Sequence, residues 1–144
     1  MRVPILRSAA AGLLALGLAA PVVSASTRVE IVLDNHFLTT GVETFTASGF
    51  CPSGSAVTSN LVIVGGSHGL TFHLDKTLTC NDGSGTLSIH VDAATSYGTY
   101  TGDQGGWSVT GGTGAWAGAT GGGQLVATYT STGSLDDYTG ALRP

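Results

Sequence analysis

The sequence is short of charged residues. Only five of its 144 residues are lysine or arginine and nine are aspartate or glutamate, which gives a formal net charge of −4. Proteins that bind a nucleic-acid backbone or an anionic lipid surface use clustered positive charge, and this sequence contains no basic cluster. We therefore expect neither nucleic acid nor a charged membrane surface as a partner.

Long hydrophobic runs are also scarce, and the only one stands at the N-terminus. Met1–Arg7 carries two arginines and no acid, and Ser8–Val23 carries no charge. This order is typical of a signal peptide, and Val23-Ser24-Ala25 has the small or tolerated residues that signal peptidase reads. The run is shorter than the roughly 20 apolar residues of a membrane anchor. We expect cleavage after Ala25 and no membrane insertion afterwards.

The expected mature chain, residues 26–144, is a single secreted domain. Cleavage removes two of the five strong bases and none of the nine acids, which leaves a formal net charge of −6. A chain of this length is large enough for one hydrophobic core. The sequence leaves the oligomeric state open and indicates no cofactor.

Cysteine is rare, since Cys51 and Cys80 are the only two. In a chain bound for an oxidising compartment, we expect these two residues to form a disulfide. A structural zinc site is a poor alternative because it uses four ligands at short spacings.

Helical periodicity is absent beyond a turn or two. Apolar residues instead alternate every second position between glycine-rich breaks, which is typical of strands. The pattern predicts an all-β antiparallel closed barrel of about eight strands, with a β-sandwich as the alternative. Strands are expected at Thr27–Leu33, Val42–Ser48, Ala56–Val64, Leu70–Cys80, Gly85–Ala93, Tyr97–Thr101, Gly106–Thr110, Gly123–Thr130 and Asp137–Leu142.

One hairpin can be predicted in register. Asp82-Gly83 is a preferred residue pair for a type I′ turn, in which both central residues have positive φ. Centring the turn there places Leu78 opposite Leu87 and Leu74 opposite Val91. Phe72, Cys80 and Ile89 share this apolar face, which a shift of one residue would destroy.

The opposite face of this hairpin is polar and holds candidate metal ligands. The register places His73 opposite Asp92 and Asp75 opposite His90. Histidine and carboxylate at this distance can bind a divalent metal or form an acid–base pair. The alternative is a solvated face on which opposite charges are favourable cross-strand neighbours.

A serine-hydrolase pattern, G-x-S-x-G, occurs at Gly65–Gly69. In a nucleophile elbow this pattern joins a strand to a helix. Here the next segment, Leu70–Cys80, is predicted to be a strand. We therefore interpret Gly65–Gly69 as a hairpin loop.

The glycine-rich segment Gly106–Gly123 resembles a segment of the allene oxide cyclase and dirigent-like barrels. It contains the pattern G-T-G-x-[aromatic]-x-G-x-x-G, with Trp116 as the aromatic residue. Small secreted bacterial proteins with this segment also carry a stretch similar to T-C-x-D-G-S-G-T, which is found here at Thr79–Thr86. The resemblance implies an eight-stranded antiparallel barrel with the loop near Trp116 at one mouth. It carries over no catalytic residue.

Trp107 and Trp116 each have two interpretations. Trp116 lies between small residues that allow its ring to fold back over the backbone, which favours a plug in the core. Trp107 alternates with Val109 onto one face of a strand. Because barrel mouths often hold ligand pockets, both tryptophans are also candidate pocket residues.

The sequence leaves three functions open. The favoured one is a secreted non-catalytic barrel that binds a small apolar ligand or a macromolecular partner. The second is an isomerase like the allene oxide cyclases or a guide of radical coupling like the dirigent proteins, and it predicts an apolar cavity with polar groups at its base. The third is a structural or inhibitory protein that acts through its surface, and it predicts an exposed apolar loop.

Overall fold

The protein is a closed antiparallel barrel. The computed structural model describes residues 25–39, 41–96, 98 and 101–144. Each strand pairs with the next, and β8 pairs with β1, which closes the sheet. The all-β barrel predicted from the sequence is confirmed, and no helix occurs in this part of the chain. The strands are β1 Thr27–Asn35, β2 Glu43–Ser48, β3 Ser53–Gly65, β4 Gly69–Cys80, β5 Gly85–Ser96, β6 Gly102–Gly114, β7 Thr120–Tyr129 and β8 Ser134–Arg143.

Seven of the nine predicted segments match an observed strand to within three residues at each end, and two differ more. Three residues of the predicted strand Tyr97–Thr101, namely Tyr97, Thr99 and Tyr100, lie outside the described residues, as does the predicted signal peptide up to Ser24. Gly98 lies in a turn and Thr101 in a bend, so the chain reverses between β5 and β6. The predicted strand Gly106–Thr110 is only the middle of β6. The glycines at both ends of this segment lie within β6 and do not end the strand.

The end of the barrel near the disulfide is filled with aromatic rings. The Phe50 ring lies 5.7 Å from Phe45 and 4.6 Å from Trp116 between ring centroids. Gly54 has no side chain where a Cβ would lie 2.5 Å from the Phe45 ring, so glycine allows this close approach. Packing of this kind excludes water from the end where β4 meets the start of β5.

The predicted disulfide is confirmed. Cys51 and Cys80 are bonded, with 5.8 Å between their Cα atoms, and both are buried in the core. The bond joins the loop before β3 to the last residue of β4. It therefore fixes the filled end of the barrel.

The predicted register of the β4–β5 hairpin is confirmed, but its turn type is wrong. Leu78 pairs with Leu87 and Leu74 with Val91. Gly83 has a φ of +76°, whereas Asp82 does not have a positive φ. The Gly83 amide donates to the Cys80 carbonyl at 3.3 Å, and the Asp82 carboxylate accepts from the Ser84 amide at 2.9 Å. The Asp82 side chain thus holds a turn that does not require the type I′ backbone.

A β-bulge changes which residues of β3 face the barrel interior. Asn60 adopts the left-handed conformation with φ +53°, and the β3–β4 register shifts between Ser59 and Val62. After this shift, Leu61 and Ile63 line the interior. Strand β2 is short, and its pairing with β3 ends at Ala56. Among the described residues, the second half of β3 therefore has no β2 residue paired with it.

Candidate functional site

The interior holds a cavity of about 840 Å³ at the end opposite the disulfide. Its walls come from every strand of the barrel, and most of them are apolar. A volume of this size is within the range of small-molecule sites, roughly 300–1,000 Å³. The apolar residues that line it are Phe37, Leu38, Leu61, Ile63, Leu70, Phe72, Leu74, Val91, Ala93, Leu125 and Ala127.

Exposed apolar side chains border the mouth of this cavity. Phe37 is 56% exposed and Leu38 is 62% exposed, and both lie in the β1–β2 loop. Leu61 and Ile63, on the extended part of β3, are about half exposed. The Phe37 ring contacts the edge of Tyr129 with 6.4 Å between centroids. An apolar rim of this kind lets an apolar molecule enter without crossing a charged surface.

A buried ion pair lies in the cavity wall. The Lys76 ammonium is 1% exposed and lies 3.1 Å from Glu43 Oε2. It also donates to Thr58 Oγ1 at 2.7 Å, and the Thr58 hydroxyl is within hydrogen-bond distance of the Glu43 carboxylate. These three residues, the Lys76 triad, lie where the pairing of β2 with β3 ends. The charge of Lys76 is thereby compensated inside the barrel.

The Lys76 triad is not predicted from the sequence, because Lys76 enters there only as one of the strong bases counted in the net charge of the mature chain. The sequence does contain a sign of this burial. Lys76 is two residues from both Leu74 and Leu78, so it lies on the face of the strand that is predicted to be apolar. In the structure it pairs with Ile89, which is fully buried. A lone charge at an inward position of a barrel strand is a sign of a polar group within the cavity.

A second polar group in the cavity is the carboxyl of Asp136, which is buried. Ser134 Oγ donates to Asp136 Oδ1 at 2.5 Å, and the Tyr138 hydroxyl lies 3.4 Å from Oδ2. Burial raises the pKa of Asp136, although Ser134 and the nearby Lys76 charge act in the opposite direction. The Asn35 amide lies 3.5 Å from the same carboxyl, and the buried Asn35 Oδ1 has no hydrogen-bond partner among the described residues.

Asp103 and Tyr129 form a third polar contact in the cavity lining. The Tyr129 hydroxyl donates to Asp103 Oδ1 at 2.7 Å. Burial raises the pKa of Asp103 and the neighbouring Asp136 carboxyl adds to this effect, although the hydrogen bond from Tyr129 acts in the opposite direction. Burial also raises the pKa of Tyr129 to about 12, and its hydrogen bond to Asp103 acts in the same direction. This hydroxyl is therefore a neutral donor at physiological pH.

The two candidate pocket tryptophans pack in the core and are not among the residues that line the cavity. Trp107 is buried, and its Nε1 donates to the Thr139 carbonyl at 3.2 Å. Its ring meets that of the cavity-lining Tyr138 edge-on, with 6.5 Å between centroids, so it packs inside the barrel next to the cavity. Trp116 packs on Phe50 at the filled end. Both positions correspond to the packing interpretation of the sequence.

The candidate metal ligands lie together on the outer face of β4 and β5, in the predicted register. His73 pairs with Asp92, and Asp75 pairs with His90. His73 Nδ1 lies 2.5 Å from Asp92 Oδ1, and His90 Nδ1 lies 2.7 Å from Asp75 Oδ1. His90 Nε2 is also 3.3 Å from Asp92 Oδ1, which links the two pairs. We call these four residues the histidine cluster.

The electrostatics of the histidine cluster follow from its hydrogen bonds. The Asp75 carboxylate holds the pKa of His90 above its ordinary value. Hydrogen bonds from Asn60 and then His90 lower the pKa of Asp75, and the bond from His73 lowers the pKa of Asp92. Both carboxylates are therefore ionised at neutral pH and face two imidazoles across the strands.

The serine of the G-x-S-x-G pattern lies at the tip of a β-hairpin, as predicted. The Gly66 amide donates to the Gly69 carbonyl at 2.9 Å, and Ser67 and His68 are exposed between β3 and β4. Strands flank the loop on both sides, so the strand–turn–helix context of a nucleophile elbow is not formed.

Comparison with known proteins provides no relative for this chain. No family model, no curated protein and no solved structure matches it. The resemblance to the allene oxide cyclase and dirigent-like barrels therefore stays a prediction. The fold and site define the chain as a small closed barrel with an apolar interior cavity. Within the described residues, no helix is long and apolar enough to cross a membrane.

Proposed function

We propose that the mature chain is a secreted, non-catalytic barrel that binds a small neutral apolar ligand in its interior. The observation that carries this proposal is the cavity of about 840 Å³, which has mostly apolar walls and an exposed apolar rim. An empty cavity of this size lowers the stability of the fold, because apolar side chains buried in its place would stabilise it. A ligand-binding function accounts for the presence of the cavity. The buried disulfide is consistent with an extracellular location.

The polar groups in the cavity indicate that the ligand is neutral. The Lys76 ammonium already has Glu43 as its counterion, so an anionic ligand finds no unpaired positive charge. Burial raises the pKa of Asp103 and of Asp136 in the same cavity, so negative charge is disfavoured there. The mostly apolar walls disfavour a positive charge on the ligand as well. A ligand hydroxyl can instead donate to Asn35 Oδ1, which lacks a partner among the described residues. The expected ligand therefore has an apolar body and one hydroxyl or other hydrogen-bonding group.

An isomerase is the second candidate function. It is favoured by the polar groups at the cavity base, because the Lys76 triad and Asp136 can orient or polarise a bound molecule. The two functions differ in the fate of the ligand. A binding protein releases the molecule unchanged, whereas an isomerase releases one of the same mass and different structure.

Surface action is a third candidate, and it depends on the exposed Phe37 and Leu38 of the β1–β2 loop. Both residues also line the cavity. Ligand entry explains their exposure without a macromolecular partner, so we place this candidate after the other two.

A pair of adjacent alanines on β5 provides the test. Ala93 is buried and lines the cavity, whereas Ala94 is exposed on the outer face. Residues 26–144 are titrated with the neutral fluorescent probe N-phenyl-1-naphthylamine. We expect saturable binding by the wild-type protein, at least a tenfold loss of affinity in Ala93→Phe, and no change in Ala94→Phe.

The folded state of both variants is checked by urea unfolding. If Ala93→Phe is folded and binds the probe as tightly as the wild-type protein does, the cavity is not the binding site. If the folded wild-type protein does not bind the probe, the proposal also fails. Recovery of the natural ligand after incubation, followed by determination of its structure, separates the binding protein from the isomerase.

A further inference from the structure

We propose that the outer face of β4 and β5 is a binding site for a divalent transition metal of the zinc or copper type, with His73, His90 and Asp92 as its ligands. Asp75 acts as a positioning residue that orients His90. The site lies on the opposite face of the sheet from the cavity. It therefore does not depend on the function proposed for the interior.

The ligand atoms are already close enough to share one ion. His73, His90 and Asp92 each offer one ligand atom, and these atoms lie within 4.8 Å of one another. Zinc binds imidazole nitrogen at about 2.0–2.1 Å and carboxylate oxygen at about 2.0–2.2 Å, so two ligands of a tetrahedral ion are roughly 3.4 Å apart. The distance of 3.3 Å between His90 Nε2 and Asp92 Oδ1 matches this separation.

His73 must move slightly to join this arrangement. Its Nδ1 lies 2.5 Å from Asp92 Oδ1, closer than two ligands of one ion lie. The side chains of His73 and Asp92 are 44% and 59% exposed, so a small rotation meets little packing resistance. The metal would then replace the direct contact between the two residues. Their backbone positions are fixed by continuous pairing of β4 with β5.

Asp75 prepares His90 for metal binding. Its Oδ1 accepts from His90 Nδ1 at 2.7 Å, so the proton of the neutral ring is held at Nδ1 and the lone pair is at Nε2. The Nε2 atom is the one that faces Asp92. Carboxylates that accept the second ring proton of a metal-binding histidine are a common outer shell of metal sites. This division of roles distinguishes the cluster from two independent ion pairs.

Asn60 fixes Asp75 from the neighbouring strand. Its side-chain amide donates to Asp75 Oδ2 at 2.7 Å, so both oxygens of Asp75 are occupied. Asn60 reaches this position from the bulge of β3, where its φ is +53°. The chain thus places a residue in an unfavourable backbone conformation next to the carboxylate that orients His90.

The donor set selects the class of metal. Two imidazoles and one carboxylate suit zinc or copper, whereas magnesium and calcium prefer sites built from oxygen atoms. Three protein ligands leave one position of a tetrahedral ion for solvent or another molecule. Calcium is therefore a suitable negative control for the titration.

The test uses untagged protein of residues 26–144, because an added histidine tag would bind the same metals. Zinc is titrated while the imidazole signals of the four histidines are followed by NMR. We expect the signals of His73 and His90 to shift together, with those of His36 and His68 unchanged at the same zinc concentration. Calcium should shift none of them.

Variants separate ligands from the positioning residue. We expect His90→Asn to lose at least tenfold in zinc affinity and His68→Asn to retain it. Asp75→Asn should lower the affinity by about 10- to 100-fold and should weaken the response of His90 while His73 still responds. The proposal is overturned if His73 and His90 do not respond to zinc, or if His36 and His68 respond with the same affinity. It is also overturned if His68→Asn lowers the affinity as much as His90→Asn does.

Discussion

The ammonium of Lys76 lies 3.1 Å from the carboxylate of Glu43 inside the barrel, where Lys76 is 1% exposed. The pair spans the point at which β2 stops pairing with β3. It therefore joins β2 to β4 through side chains, next to the point where the backbone pairing of β2 with β3 has ended. The ion pair also makes the interior of the barrel polar at this position without leaving an uncompensated positive charge.

Removing one partner of this ion pair should destabilise the fold strongly. Lys76→Met leaves the Glu43 carboxylate without its cation, and Glu43→Gln leaves the ammonium without its anion. The loss of one member of a buried pair costs about 3–5 kcal/mol. We expect losses of this order for each variant in urea unfolding, and a combined loss in the double variant that is smaller than the sum.

The control for these variants is Arg143→Met, since Arg143 is an exposed base at the end of β8. We expect its unfolding free energy to stay within about 0.5 kcal/mol of the wild-type value. An equally small effect of Lys76→Met would show that the ion pair does not contribute to holding β2 and β4 together.

The stability of the protein should depend on pH through Asp136. The unfolded chain releases this proton near the ordinary carboxyl pKa of about 3.9, whereas burial raises the pKa in the folded state. Between the two values the folded state holds a proton that the unfolded state has lost, so its stability falls as the pH rises. Asp136→Asn removes this titration and keeps an oxygen that accepts from Ser134.

We therefore expect Asp136→Asn to be more stable than the wild-type protein at pH 7, with a difference that shrinks as the pH is lowered toward 4. Urea unfolding at a series of pH values measures this difference. A difference that is the same at pH 4 and pH 7 would contradict the assignment to Asp136.

Secretion and the disulfide can be checked on one sample. The full-length chain is expressed in a bacterial host, and the protein in the medium is measured by mass spectrometry. We expect a chain that begins at Ser26 and is two hydrogen atoms lighter than its reduced form. Material that is retained in the cells with residues 1–25 intact would contradict the predicted signal peptide.

Loss of the disulfide should lower the stability substantially. The bond closes a loop between cysteines 29 residues apart, and on the chain-entropy model such a bond contributes about 3–4 kcal/mol. We expect a loss of this size in the double variant Cys51→Ala/Cys80→Ala, measured by urea unfolding. A double variant as stable as the wild-type protein would show that the aromatic packing alone holds this end of the barrel.

The bulge at Asn60 gives a prediction about backbone conformation. Asn60→Gly and Asn60→Ala both remove the hydrogen bond to Asp75, but only glycine adopts φ +53° freely. We expect the alanine variant to be less stable than the glycine variant by about 1 kcal/mol. Equal stabilities would mean that the bulge relaxes when Asn60 is replaced.

The parts of the fold that could be predicted are those with a local signal. The Asp82-Gly83 pair and its flanking alternation determine the register that brings His73 to Asp92 and Asp75 to His90. Tertiary packing decides the rest. The cavity depends on how eight strands close, and the bulge at Asn60 reverses the facing of the residues that follow it. Neither Leu61 nor Ile63 could be assigned to the interior from alternation alone.

The position of Lys76 shows a different limit. The predicted register already places it on the apolar face, but a charge summed over the whole chain carries no information about which base is buried. Its partner Glu43 is 33 residues away in sequence and joins it only when β2 and β4 reach the same cavity wall. Such pairs can be predicted when each charged residue is assigned to a face of its strand before the charges are added to a net charge.

Native mass spectrometry of the secreted protein tests the central claim most directly, because it detects a retained molecule whatever its chemical identity. We expect the wild-type protein to carry one small neutral organic molecule that is released on denaturation, and the folded Ala93→Phe variant to carry none. A folded wild-type protein that has only the mass of its own oxidised chain, like the variant, would contradict the account.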